Sequence, residues 1–181
     1  RNVKLKLESL QKTGSFKIRG ALNKLLSLSE EQKNKGVIAV STGNHGKGVA
    51  YASSLLGIKS TIYMSSMVPK YRKLAIESLG ANVEIVGKNS DEADLYARNI
   101  AKNNNITLVH PFDDEEIIIG QGTAGLEMIN DFPDVDSVII PTSGGGLIGG
   151  IALALKLQNP QIKVIGVSME RGPSMYESLK I

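Results

Sequence analysis

The sequence contains no cysteine and no tryptophan, and only 4% of its residues are aromatic. The lack of cysteine excludes a disulfide scaffold, a thiolate nucleophile and a cysteine-based metal site, and it fits a cytoplasmic protein. Because aromatic residues are scarce, the core must be built from leucine, isoleucine, valine and alanine. The two histidines, His45 and His110, are too few for a histidine metal cluster, so no metal site is predicted.

The sequence also lacks an apolar run long enough to span a bilayer, a signal-peptide pattern and a large excess of charges of one sign. The net charge is +3 and both signs are interspersed, so neither a membrane nor a nucleic acid is a predicted partner. The 181 residues are 41% hydrophobic and 22% charged, which is typical of one globular core or two small lobes. The chain begins at Arg1 and stops at Ile181 after a helix-like segment, so we expect it to be truncated at both ends.

Short β-branched runs alternate with longer segments of helical periodicity, which indicates an α/β protein with parallel sheets. The sequence predicts strands at 37–40, 61–64, 83–86, 106–109, 137–140 and 163–167. It predicts helices at 49–56, 71–79, 90–103, 122–130 and 147–157. The polar, proline-containing run at 110–116 is the best candidate for a boundary between two lobes.

The first of three loops suited to chemistry contains Lys17. Ser15 is a good N-cap for a following helix, and Lys17 would then lie in the first turn, where the helix dipole disfavours the charged amine. Partial burial acts in the same direction, and a lysine with a lowered pKa is a good Schiff-base nucleophile. Spacing alone does not distinguish this role from that of a solvated cation among 21 lysines and arginines.

The second loop joins a predicted strand to a predicted helix. Its polar part consists of Ser41, Thr42, Gly43, Asn44 and His45. Its three glycines permit close backbone approach, and amides at a helix start suit an anionic group such as a carboxylate. It is not a P-loop, because Val49 stands where that motif requires lysine. Local turn hydrogen bonding or helix capping explains Asn44 and His45 equally well.

The third loop follows the predicted strand at 137–140 and precedes an alanine- and leucine-rich helix. It consists of Ser143, Gly144, Gly145, Gly146 and Leu147. Consecutive glycines at a helix N-terminus present backbone N–H groups to a phosphate, although a simple packing turn has the same composition. Gly144, Gly146 and Gly149 also satisfy G-x-G-x-x-G, with Glu170 about one strand later, so a Rossmann-type NAD(P) oxidoreductase is a competing interpretation.

Four motifs resemble, in the same order, those of the fold-type II pyridoxal-phosphate-dependent enzymes, in particular the threonine/serine dehydratase (ammonia-lyase) and serine racemase group. The motifs are Lys12-Thr13-Gly14-Ser15-Phe16-Lys17-Ile18-Arg19-Gly20-Ala21, Ser41-Thr42-Gly43-Asn44-His45-Gly46, Gly120-Gln121-Gly122-Thr123 and Pro141-Thr142-Ser143-Gly144-Gly145-Gly146-Leu147. The resemblance extends from about Leu7 to the end of the chain. The segment 166–172 is further similar to the dehydratases named for hydroxyectoine utilisation.

The resemblance implies a tryptophan synthase β-like α/β fold with two open, mostly parallel sheets flanked by helices. Residues 41–116 would form a small inserted domain, and 1–40 with 117–181 would belong to a large cofactor-binding domain. The implied activity is that of a pyridoxal-phosphate-dependent lyase, a dehydratase that converts a small β-hydroxy amino acid, threonine or serine, to a 2-oxo acid and ammonia. A homo-oligomeric, cytoplasmic enzyme is implied for the full-length protein.

The resemblance also implies a role for each loop. Lys17 would be the catalytic residue and would hold pyridoxal 5'-phosphate as a Schiff base, with Phe16 flanking the ring. Asn44 would bind the ring's 3-oxygen. The phosphate would be held by Ser143, Gly144, Gly145, Gly146 and Leu147, and the substrate carboxylate by Ser41, Thr42, Gly43, Asn44 and His45. The partner of the pyridine nitrogen would lie beyond Ile181.

Three positions depart from the family pattern. Ser143 stands where many relatives have a fourth glycine, so its hydroxyl either binds phosphate or restricts the loop. Thr42 replaces the serine that racemases use as an acid, which argues against racemisation, although a serine or aspartate racemase stays the alternative within the family. Ser168 replaces the glutamate of a divalent metal site in some relatives, so that metal is not predicted.

Overall fold

The structure, a computed structural model, describes residues 2–180, which divide by their contacts into two compact units. One unit comprises Leu7–Pro111, and the other comprises residues 2–6 with 112–180. Each has its own parallel sheet, so the predicted α/β class with parallel sheets flanked by helices is confirmed. The division of the chain into a 41–116 domain and a domain of 1–40 with 117–181 stays a prediction.

The Leu7–Pro111 unit is built around a four-stranded sheet. It opens with a 3₁₀ turn at Glu8–Leu10. Its helices are α1 (Lys17–Leu26), α2 (Glu30–Lys35), α3 (Asn44–Leu56), α4 (Lys70–Glu77) and α5 (Ser90–Asn104). Its strands are β1 (Val37–Val40), β2 (Ser60–Met64), β3 (Asn82–Ile85) and β4 (Thr107–Leu108). The strand order is β3-β2-β1-β4 and each pair is parallel, so the apolar residues of β1 are buried between its neighbours and the covering helices.

The second unit carries a two-stranded parallel sheet and three helices. The strands are β5 (Ser137–Pro141) and β6 (Lys163–Val167), and the helices are α6 (Glu115–Asp131), α7 (Gly146–Gln158) and α8 (Ser174–Ser178). Val138 and Ile140 of β5 point to one face and pack on Ile151 and Leu155 of α7. This alternation is the two-residue period of a strand with one covered face.

Two glycines allow the backbones of α6 and α7 to touch. A Cβ atom added at Gly150 would lie 2.1 Å from the carbonyl oxygen of Ile118, and one at Gly122 would lie 2.8 Å from the carbonyl oxygen of Gly150. Neither backbone oxygen can move away without unwinding its helix. Packing between helices therefore accounts for the glycine at 122 in the motif 120–123.

Helix starts are where sequence and structure differ most. The first turn of α3 was predicted as loop, yet the helix begins at Asn44 and not at 49. Likewise α6 begins at Glu115 and not at 122, with Asp114 as its N-cap accepting the Ile117 N–H at 3.2 Å. The missed part of α3 contains Gly46 and Gly48, and that of α6 contains three consecutive isoleucines and Gly120. Glycine and isoleucine both have lower helix propensity than alanine or leucine, and tertiary packing overrides that preference. None of the described helices is long and apolar enough to cross a membrane.

Candidate active site

Lys17 is the first residue of α1, as predicted, but its helix is capped differently. Phe16, and not Ser15, occupies the N-cap position; its backbone is helical at φ −60° and ψ −17°, and it makes no side-chain cap hydrogen bond. The Ser15 hydroxyl oxygen still accepts the N–H of Lys17 at 3.4 Å. The loop before α1 therefore fixes the backbone of Lys17 from its N-terminal side.

The amine of Lys17 is partly buried and held by a backbone carbonyl. Its Nζ donates to the carbonyl oxygen of Pro111 at 2.5 Å, and it lies 5.2 Å from the centre of the Phe16 ring. Burial lowers the pKa of the amine below its ordinary value of 10.5. A larger fraction of the amine is therefore neutral near pH 7 than for a solvated lysine, which is the form that attacks a carbonyl group.

Residues 41–43 form a turn that leads directly into α3, whose first two residues are Asn44 and His45. The Ser41 hydroxyl oxygen accepts the N–H of Gly43 at 3.2 Å, and Gly43 caps the helix without a side chain. The amides of Asn44, His45 and the following glycine lie in the first turn, where a helix offers them no acceptor. These N–H groups and the positive end of the helix dipole suit an anion such as a carboxylate.

Two glycines that follow this turn in α3 are required by helix packing rather than by the approach of a ligand. A Cβ at Gly46 would lie 2.7 Å from the Ile76 Cδ1, and one at Gly48 would lie 3.1 Å from the backbone carbonyl of Lys17. In contrast, a Cβ at Gly43 would meet nothing within 4 Å. Helix α3 therefore packs against the start of α1 at Lys17, and of the three glycines only Gly43 leaves open space beside the turn.

His45 is buried, with 4% of its surface exposed, and lies close to Lys17. Its Nε2 is 2.8 Å from the carbonyl oxygen of Val109, which can only accept, so Nε2 carries the proton. Burial is the main cause that lowers the pKa of His45 from 6.5 to about 4, and the charges of Lys17 and His110 act in the same direction. His45 is thus a neutral imidazole at pH 7, and its buried Nδ1 has no hydrogen-bond partner.

The glycine loop belongs to the other unit and is described by itself. The N–H of Gly145 donates to the carbonyl oxygen of Thr142 at 2.9 Å, closing a turn. Within residues 2–180, the amides of Ser143, Gly144, Gly146 and Leu147 donate to no backbone carbonyl. Ser143 and Gly145 have φ of 39° and 87°, a left-handed geometry that points successive amides into one concavity and suits an oxyanion.

Ser143 is strained, because a side chain at φ 39° is disfavoured. We expect Ser143→Gly to raise the free energy of unfolding of the full-length protein by about 1 kcal/mol, since glycine adopts this geometry without a Cβ penalty. Ser143→Ala, which keeps the strain and loses only the hydroxyl, is the matched control. Urea unfolding of both variants measures the difference, and equal stability of the two would contradict a strained Ser143.

Two site groups have no side-chain signal in the sequence. The carbonyl oxygens of Val109 and Pro111 hold His45 and Lys17, yet the sequence marks 110–116 only as a break between lobes. Backbone acceptors have no residue-type signature, so only the strand order, which brings β4 beside β1, reveals them.

Comparison with known proteins identifies relatives over the whole length. The family model described as "Pyridoxal-phosphate dependent enzyme" matches residues 1–181. The curated catabolic L-threonine dehydratase of Staphylococcus aureus is 52% identical over 177 residues, which is 98% of this chain and 51% of that protein. The chain thus spans about half the length of the curated relatives it matches.

Solved structures also superpose on almost the whole chain. The processed form of threonine deaminase isoform 2 from Solanum lycopersicum superposes with a TM-score of 0.94 at 40% identity, over 97% of this chain and 51% of that one. Serine racemase from Dictyostelium discoideum superposes with a TM-score of 0.90 at 38% identity, over 97% of this chain and 57% of that one.

Proposed function

Because the chain belongs to the family of pyridoxal-phosphate-dependent enzymes, we propose that the full-length protein is a dehydratase that converts L-threonine or L-serine to a 2-oxo acid and ammonia. The observation that carries the proposal is the 52% identity with a curated L-threonine dehydratase over 98% of this chain, a stretch that includes all three loops. The family assignment favours pyridoxal phosphate over a dinucleotide as the ligand of the glycine loop.

The residues of the chain fit the family's cofactor. A phosphorylated aldehyde needs an amine that is neutral near pH 7, and the partly buried Lys17 has a lowered pKa. It also needs donors for a phosphate, and within residues 2–180 the amides of Ser143, Gly144, Gly146 and Leu147 donate to no backbone carbonyl. We therefore assign the covalent attachment to Lys17, the ring's flank to Phe16, the 3-oxygen to Asn44 and the phosphate to Ser143–Leu147.

The side chains then have the following parts in the reaction. When bound, the cofactor supplies an electron sink for the negative charge that develops at the substrate Cα. The segment 41–45 binds the substrate carboxylate with its first-turn amides and the hydroxyls of Ser41 and Thr42. The amine of Lys17 takes the Cα proton as a general base, a role that its lowered pKa favours, because a larger fraction of the amine is in the neutral form that accepts a proton.

A racemase of the same family is the second candidate. The structural likeness to a serine racemase at 38% identity favours it, since the fold is shared. Against it stands Thr42, which replaces the serine that racemases use on the opposite face. Homo-oligomer formation, a cytoplasmic location and the hydroxyectoine subgroup stay predictions.

We expect the full-length protein to show a visible absorbance band that borohydride abolishes while fixing the cofactor to the peptide containing Lys17. With L-threonine or L-serine, a dehydratase releases a 2-oxo acid and ammonia, and a coupled lactate dehydrogenase assay measures the 2-oxo acid. Chiral chromatography of the same mixture measures any D-amino acid. A D-amino acid as the main product would assign the racemase instead. A protein with no visible band after reconstitution would overturn the proposal.

A further inference from the structure

We infer that His45 is a positioning residue for Lys17: by donating its Nε2–H to Val109, it fixes the backbone segment Val109–Pro111, whose last carbonyl holds the Lys17 amine. The inference rests on the proposed role of Lys17 and adds a residue that acts on it from another helix. Every group involved lies within the Leu7–Pro111 unit.

The segment Val109–Pro111 is held at its start from two sides. The N–H of Val109 donates to the carbonyl oxygen of Ile38 at 2.8 Å, which extends the β1–β4 pairing by one residue. The carbonyl oxygen of the same residue accepts from His45 at 2.8 Å. Val109 itself is fully buried, so neither polar group has water as an alternative partner.

The end of the segment meets Lys17. Pro111 cannot donate through its nitrogen and has a fixed φ, and the residue before a proline is restricted to extended geometry. Because His110 and Pro111 both have restricted backbones, the position of Val109 determines the position of the Pro111 carbonyl. That carbonyl accepts from the Lys17 Nζ at 2.5 Å. A displacement of Val109 therefore moves the backbone group that shields the amine from water.

The chemistry of His45 suits this role rather than acid–base catalysis. A buried histidine with Nε2 bound to a carbonyl is uncharged at pH 7, and the titratable groups that act on it, Lys17 and His110, both oppose its protonation. Because the ring is neutral, replacing it removes no charge beside Lys17. Any change in the pKa of the amine then reports how well the segment covers it.

Two amide side chains of different reach test the inference. In His45→Gln the side-chain N–H stands near the original position of Nε2, whereas in His45→Asn it falls short of Val109. The readout is the pH profile of Lys17 acetylation by acetic anhydride in the cofactor-free full-length protein, quantified by mass spectrometry of the Lys17 peptide. This measurement needs neither the cofactor nor turnover, so it is independent of whether the proposed function is correct.

We expect the midpoint of the profile to move upward in His45→Asn, because the loosened segment admits water to the amine, and to stay at the wild-type pH in His45→Gln. The dissociation constant for pyridoxal phosphate should rise about tenfold in His45→Asn, the effect of one lost buried hydrogen bond. Val49→Ala, a cavity one turn along the same helix that leaves the His45–Val109 hydrogen bond in place, controls for destabilisation.

An unchanged or lowered midpoint in His45→Asn overturns the inference, as does an equal upward shift in Val49→Ala or in His45→Gln. Should His45→Asn fail to fold, Pro111→Ala decides, because it keeps the carbonyl and frees the backbone that carries it. An upward midpoint in Pro111→Ala supports the inference, and an unchanged or lowered one overturns it.

Discussion

Lys17→Ala in the full-length enzyme is expected to lower turnover of L-threonine by about 10³-fold or more, the upper range for a positioned general base. On the proposed assignment, the variant loses both the amine that holds the cofactor and the base that takes the Cα proton. Borohydride should no longer fix any cofactor to the protein, whereas reversible binding through Ser143–Leu147 should remain. Stopped-flow and steady-state assays with a spectrum of the same sample measure both effects.

The matched control is Lys24→Ala, a lysine in the last turn of the same helix. Its removal should leave both spectrum and turnover close to those of the wild type, because Lys24 lies about two turns along α1 from Lys17. Lys17→Arg keeps a cation at this position but has no neutral amine near pH 7, so it should lose both cofactor attachment and turnover as Lys17→Ala does. An active Lys17→Ala variant would refute the assignment of Lys17.

The strands of this fold were the most predictable part of the sequence. The run Val37–Val40 is β1 as predicted, and the segment predicted at 163–167 is β6. Buried parallel strands carry a continuous β-branched signal, and that signal is local. The helix α2 was missed although Ser29 and Gln32 form a capping box, because the helix is short and polar.

The site was predictable only where it depends on residue type. The motifs identify lysine, glycine and asparagine by residue type, and the resemblance assigns a role to each. The contribution of His45 depends instead on which carbonyl it meets, and that carbonyl lies 64 residues away in sequence. No local pattern specifies such a contact, because it is produced by the strand order.

The same argument applies to glycines, because only the packing shows which positions require a residue without a side chain. Gly149 and Gly150 are neighbours in α7 and look equivalent in sequence. A Cβ at Gly149 would meet only the Ile118 Cγ2 at 3.9 Å, an ordinary contact, whereas a Cβ at Gly150 would lie 2.1 Å from the backbone oxygen of Ile118. The two positions therefore make a matched pair within one helix.

We expect Gly150→Ala to lower the free energy of unfolding by about 3 kcal/mol, the upper range for overpacking, because α6 and α7 must separate to admit the methyl group. Gly149→Ala should instead be neutral or stabilising by up to about 1 kcal/mol, since alanine is the better helix former. Urea unfolding of the two full-length variants measures the contrast. Equal loss in both would mean that helix flexibility, and not the backbone contact between α6 and α7, requires these glycines. The contrast follows from the close approach of the backbones of α6 and α7 at Gly122 and Gly150, both of which lie within one unit.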